Sequence, residues 1–213
     1  MAGFEIPHRV PEVPLAERRI RIIIGAAQIF IESGYVGASM SRIASAADVS
    51  KGTLYNYFSD KKMLFETFVW WRCDRLEEIV REQFEFQSDS VAAELIHVGM
   101  KMLRIMLSDD ALPIYRVIAV EALRFPELAK AFSNAGPNAF IRRMEVWLRA
   151  QVVAGKLQIS DPLFAAEQFF ALIHARAIER ALTDADYRAT DAEIHFVVDC
   201  AVDVFLAAYG CNV

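Results

Sequence analysis

Between residues 39 and 62 the chain gathers side chains suited to one kind of chemistry: donation of hydrogen bonds to phosphate oxygens and base edges. Ser39, Ser50, Thr53, Tyr55 and Tyr57 supply hydroxyls, Asn56 an amide, and Arg42, Lys51, Lys61 and Lys62 cations. Such donors fix the register of a protein on a polyanion. Arg42 suits a guanine edge or a phosphate, and Thr53 or Tyr55 a thymine methyl. Gly52 has no side chain, which lets the backbone approach a groove closely. Lys61 and Lys62 open a long helical segment, whose first free N–H groups also favour phosphate.

Those residues must be presented by short helices. Ser39 is placed to cap a helix through Ala47, Asp48 and Val49 make a tight turn, and Ser50 caps a second helix over 51–57. Val49, Leu54 and Phe58 are the apolar anchors of that second helix. Two short helices on a tight turn are the helix-turn-helix plan, with the second helix in the major groove. An earlier helix, 15–33, brings Ile23, Ala26, Ala27 and Phe30 to one face and ends at Gly34 in a left-handed cap. Its cations Arg18, Arg19 and Arg21 sit at the positive end of the helix dipole, which suits a nearby phosphate. Residues 1–14, with three prolines, read as a flexible tail. Ser59 is placed to cap a long helix over 60–83.

Charge follows the same division. The whole chain of 213 residues carries −5, whereas residues 9–62 hold eight basic and five acidic side chains, a balance of +3 that leaves −8 elsewhere. A basic head on an acidic body places any polyanion at the head. With 55% apolar residues the chain can bury a core. No apolar run reaches the length of a membrane span, because Asp199 and Asp203 interrupt the best candidate, 196–209. Three scattered cysteines form no disulfide framework, so the expectation is a soluble, cytoplasmic protein. No phosphate loop, nucleophile elbow or spaced metal ligands appear, and the four histidines are dispersed. Neither an enzyme nor a cofactor-binding protein is expected. A metal site at His174, His195 and Cys200 lacks the spacing.

The block SMSRIASAADVSKGTLYNYFSDKK at 39–62, with the helix ahead of it, resembles the DNA-binding segment of the TetR family of transcriptional repressors. Two positions depart from that pattern: Asp48 stands where glycine is usual and Tyr57 where histidine is usual. Further on, EALRFPELA is loosely similar to the C-terminal region of one TetR subgroup. The resemblance implies an all-α fold: a three-helix head, residues 15–62, then a larger helical domain, 63–213, for effector binding and dimerisation. It further implies a homodimer, a pseudo-palindromic double-stranded operator, and release by a small apolar or amphipathic effector.

The body supports helices throughout. A segment over 90–108 has only a narrow polar stripe, Glu94, His97, Lys101, Arg104 and Ser108, so it should be embedded with that stripe in water. Further helices are expected at 110–125, 127–132, 138–154, 162–182 and 191–209. Large soft side chains, Trp71, Met102, Met106, Tyr115, Phe140, Met144 and Trp147, with the carboxylate Glu121, are candidates for an effector pocket. They serve equally as core, and Glu121 as a partner of Arg124. The last two helices are apolar over much of their circumference, which places Phe169, Ile173, Ile178, Val198, Val202 and Phe205 in a dimer interface. A ligand-binding dimer without DNA affinity is the rival reading; substitution of Lys51 and Tyr55 separates the two.

Overall fold

Helices build the whole of the computed structural model, which describes residues 17–82, 84, 88, 90–184 and 186–211. The tail, Leu15 at the expected helix start and Gln83 lie outside the described residues. Eleven helices and no strand occur among the described residues. They fall into two units, one up to Arg75 with Val117–Phe132, the other Leu76–Arg116 with Ser133–Val213. The first unit thus runs past the expected head, and its boundary falls inside a helix.

In the first unit α1 (Glu17–Gly37) packs on α2 (Met40–Ala46), and α2 on α3 (Lys51–Tyr57). By length and hydropathy α1 would pass for a membrane span, contrary to the sequence expectation. Its apolar side is instead the floor of the head: Ile22, Ile23, Ala26 and Phe30 are at most 1% exposed. Gly34 does break the helix, but with φ 67° and ψ 176°, an extended conformation open to glycine and not the expected left-handed helical cap. Asp48 takes φ 52°, the left-handed turn in which an aspartate is tolerated. There the amide of Val49 reaches the Ala44 carbonyl at 3.0 Å. Gly25 sets how closely α1 and α2 approach: a Cβ there would lie 2.7 Å from the Ala47 amide nitrogen.

α4 (Lys61–Glu82) starts one residue later than Ser59 predicts. Asp60 is the cap, accepting from the Met63 amide at 2.8 Å. Phe65 and Phe68 of α4 pack with Phe30 at 4.9 and 5.9 Å between ring centroids. Phe125, from the 117–132 segment, completes the cluster against Tyr35 and Phe65 at 4.8 and 5.1 Å.

In the second unit α5 (Val91–Leu107) packs against α9 (Pro162–His174), α10 (Ala177–Thr183) and α11 (Asp191–Tyr209), while α8 (Pro137–Val153) lies on α9. α5 is embedded as expected, and a Cβ on Gly99 would press Val198 at 3.0 Å. Its stripe is less wet than predicted: Glu94 is only 4% exposed and accepts the backbone N–H of Ser88. Ser88, ahead of the helix, meets that carboxylate, a contact that helical periodicity does not encode. α6 (Leu112–Glu121) is shorter than expected, because Ser108 caps the turn ahead of it at the Ala111 amide. α7 (Pro126–Ala135) and α8 each begin on a proline, where its missing N–H costs nothing. The single helix expected at 162–182 is two, α9 and α10, parted at Ala175–Arg176 with no proline or glycine to mark the break.

Candidate nucleic-acid interface

α3 is held by two fully buried side chains, Leu54 and Phe58, with Val49 half-buried. The Arg19 guanidinium sits 5.6 Å from the Phe58 ring. Ser50 caps α3: its Oγ accepts the Thr53 amide at 3.0 Å and pairs with the Thr53 hydroxyl at 2.9 Å. Ser39 caps α2 through the Arg42 amide at 3.3 Å. A cap of this kind is worth about 0.5–2 kcal/mol, so both serines hold the element in place. The remaining face is open. Lys51, Gly52, Tyr55 and Asn56 are exposed, at i, i+1, i+4 and i+5 of one helix side, with Thr53 and Tyr57 half-buried at its margins. None of the Lys51, Tyr55 and Asn56 side chains has a partner among the described residues. Gly52 is not required by the fold, since a Cβ there would meet only the Ser50 hydroxyl at 3.8 Å.

Two of the expected donors are engaged inside the head. Lys61 donates from Nζ to the carbonyls of Tyr35, Val36 and Ala38 at 2.7, 3.3 and 2.8 Å and lies 4.5 Å from the Tyr35 ring centroid. Its ammonium gathers the carbonyls that the interrupted end of α1 leaves unpaired. Arg42 donates to Ser33 Oγ at 2.7 Å and Glu32 Oε2 at 3.3 Å. Lys62 remains exposed, with Glu66 at 3.8 Å. Beside them, the Met63 amide and then the Ser59 hydroxyl hold the Asp60 carboxyl below its ordinary range. Burial, then the Asp60 charge, pushes the Tyr35 phenol up.

The eight candidate effector residues do not gather in one unit: Trp71 and Glu121 lie in the first, the other six in the second. Phe140 and Met144 are fully buried and Met102 is 2% exposed, all three in the core of the second unit. Met106 packs against the same core, and Tyr115 is half-buried. Glu121, 7% exposed, pairs with Arg124 at 3.3 Å. A cleft of about 510 Å³ in the second unit is lined by only one of the eight, Trp147. The other seven lining residues, among them Glu77, Phe84, Arg142 and Arg143, drew no such assignment. Neither Arg142 nor Arg143 drew a functional reading from the sequence.

The six expected interface residues need correction. Phe169, Ile173, Ile178, Val198, Val202 and Phe205 are at most 3% exposed within the single subunit. α9 and α11 are apolar on two sides; five of the six form their inner side, and Ile178 is buried on α10. The outer side carries Phe164, Phe196 and Val204, each more than half exposed.

Comparison with known proteins agrees with this architecture. Residues 22–68 match the family model described as bacterial regulatory proteins, tetR family. Residues 93–211 match that of the AefR-like transcriptional repressor, C-terminal domain. The chain is 36% identical over 78 residues to the transcriptional activator FasR of Mycolicibacterium smegmatis, covering 37% of this chain and 36% of that protein. It is 36% identical over 122 residues to the regulator UidR of Escherichia coli K12, covering 54% and 57%. The matches thus span only about a third to a little over half of these relatives. A TetR-family regulator from Mesorhizobium loti superposes with a TM-score of 0.84 at 27% identity, over 94% of this chain and 100% of that one. The flavonoid-responsive regulator FrrA does so at 0.71 and 29%, over 92% and 98%. These are regulators and not enzymes. With one family model covering the head and another more than half of the chain, the protein belongs to the TetR family of bacterial transcriptional regulators.

Proposed function

We propose that the chain is a cytoplasmic repressor that binds a pseudo-palindromic double-stranded operator as a homodimer and is released by a small, largely apolar effector. The carrying observation is the exposed, unpartnered face of α3, Lys51, Gly52, Tyr55 and Asn56, on a helix fixed by its own cap. Lys51, Tyr57 and Lys62 supply phosphate contacts, and Thr53 and Tyr55 read bases. Arg42 reaches the duplex by exchanging Glu32 for phosphate. Residues 15–62 serve as the DNA-binding head and 63–213 as the effector and dimer domain.

The homodimer is supported by the outer stripe of α11, where Phe196, Cys200 and Val204 stand exposed at i, i+4 and i+8. A twofold copy covers such a stripe and sets two α3 helices about 34–36 Å apart, one turn of B-DNA. Ligand response is supported by the cleft of the second unit and by the likeness to FrrA, which is flavonoid-responsive. Effector and operator affinities are then reciprocally coupled.

Selection of bound duplexes from a random pool tests the reading. It should return an inverted repeat, bound more weakly as salt rises. Absence of a motif, or lone subunits in sedimentation at micromolar concentration, refutes it. Lys51→Ala and Tyr55→Ala should abolish duplex binding; if neither does, α3 is not the reader.

A further inference from the structure

We propose that the cleft between the end of α4 and α8 binds a small monocarboxylate with an apolar tail, and that Arg143 selects the carboxylate. The proposal rests on the ligand response inferred above and adds the chemical class of the ligand. At about 510 Å³ the cleft lies within the size range of small-molecule sites. Phe84, Val146 and Trp147 form its apolar wall. Val146 is left 69% exposed on that wall, an apolar surface a ligand tail would cover.

The charges in the cleft are Glu77, Arg142 and Arg143. Arg142 is engaged, donating to the Asn134 carbonyl at 3.0 Å. Arg143 is half-buried and has no hydrogen bond or ion pair among the described residues. Elsewhere on the same helix, Arg149 reaches Glu145 from two nitrogens at 3.1 and 2.6 Å. A partly desolvated guanidinium beside an apolar wall is best satisfied by a carboxylate, whose two oxygens match its fork. Glu77 leaves the cleft a balance of one positive charge, which suits a monoanion and disfavours a dianion such as a phosphate ester.

Titration calorimetry on the full chain, without DNA, tests this with decanoate, cinnamate and the neutral decan-1-ol. Decanoate or cinnamate should bind about tenfold or more tightly than the alcohol, the size of a charge-assisted hydrogen bond. Arg143→Gln should abolish that preference with alcohol binding and thermal melting unchanged, and Arg143→Lys should retain part of it. Trp147→Ala should weaken acid and alcohol alike. Tighter binding of decanoate assigns an acyl ligand, and of cinnamate an aryl one. Failure of both acids to bind wild type at millimolar concentration overturns the proposal, as does an Arg143→Gln variant that binds them like wild type. Operator release is read separately. Arg143-dependent binding without release sinks the ligand-response reading and leaves the cleft assignment standing. Release that persists in Arg143→Gln sinks the cleft assignment alone.

Discussion

Two helical glycines in the head should respond to the same substitution in opposite ways. Alanine in a helix interior is favoured over glycine by about 1 kcal/mol, so Gly→Ala stabilises wherever the new methyl has room. At Gly25 it has none: the Cβ would meet the Ala47 nitrogen, Cα and Cβ at 2.7, 2.9 and 2.9 Å. Carbon atoms pack at about 3.5–4.0 Å, so α1 and the end of α2 must part by roughly half an ångström or more. No flexible side chain can yield, because the obstacle is backbone and a lone methyl. Overpacking of this order costs about 1–3 kcal/mol, which the propensity gain offsets in part. Gly25→Ala should therefore destabilise by up to about 2 kcal/mol, or up to roughly 8 °C in Tm for a chain of this size. At Gly52 the methyl meets nothing closer than 3.8 Å, so Gly52→Ala should hold or raise Tm. It should nevertheless weaken duplex binding, since the methyl stands where α3 approaches the groove. Thermal circular dichroism and operator titration of both variants read the contrast. A Gly25→Ala melt at or above wild type refutes the close-approach argument. Undiminished binding by Gly52→Ala refutes the groove argument.

Other substitutions separate structural from DNA-contacting roles. Lys61→Met removes three charge-assisted hydrogen bonds and should cost about 1.5–3 kcal/mol, read as a lowered melting temperature without DNA; an unchanged melt restores Lys61 to the phosphate contacts. Asp48→Gly relieves a left-handed side chain and should raise stability by about 0.5–1 kcal/mol, with a lowered melt as the contrary result. Phe196→Asp should shift sedimentation from dimer to monomer while the melt of the subunit core persists; a dimer that survives places the interface elsewhere. Burial lowers the His174 pKa, against a smaller raising effect of Glu179, so below the ordinary histidine range the unfolded chain takes up a proton that the folded chain refuses. Stability from this group is present above the ordinary histidine range and falls as pH drops below about 6.5. His174→Gln should flatten that fall in a denaturant titration across pH, and an equal slope in the variant would assign it to another group.

α3 was legible in the sequence because its interactions are local. Ser50 reaches Thr53, Ser39 reaches Arg42, and the buried pair Leu54 and Phe58 repeats at helical spacing, so the open face follows by subtraction. What the sequence hid depends on distant partners. Lys61 was read as a phosphate donor because it opens a helix, yet its acceptors lie more than twenty residues earlier, where Gly34 interrupts α1. The partners of Arg42 in the folded head, Glu32 and Ser33 at the end of α1, were hidden for the same reason.

The interface assignment failed for a different reason. Periodicity shows that α11 is apolar on two sides, but not which side meets the subunit's own core. In α11 the inner row is Val198, Val202 and Phe205, and the outer row Phe196, Cys200 and Val204, offset from it by about half a turn. Its packing partners decide between them: α5 presents Gly99 against Val198, and α9 sets Phe169 on Phe205 at 5.5 Å between ring centroids. Those contacts fix the face that α11 leaves exposed, and Phe196 falls on it. Gly99→Ala should press on Val198 at 3.0 Å and on Phe169 at 3.4 Å, an overpacking cost of about 1–3 kcal/mol that the ~1 kcal/mol helix-propensity gain offsets in part, so stability should fall by up to about 2 kcal/mol. The same variant should leave the dimer equilibrium in sedimentation unchanged, since the outer row is not disturbed; a loss of dimer at constant melt would mean that the two rows have been assigned to the wrong faces.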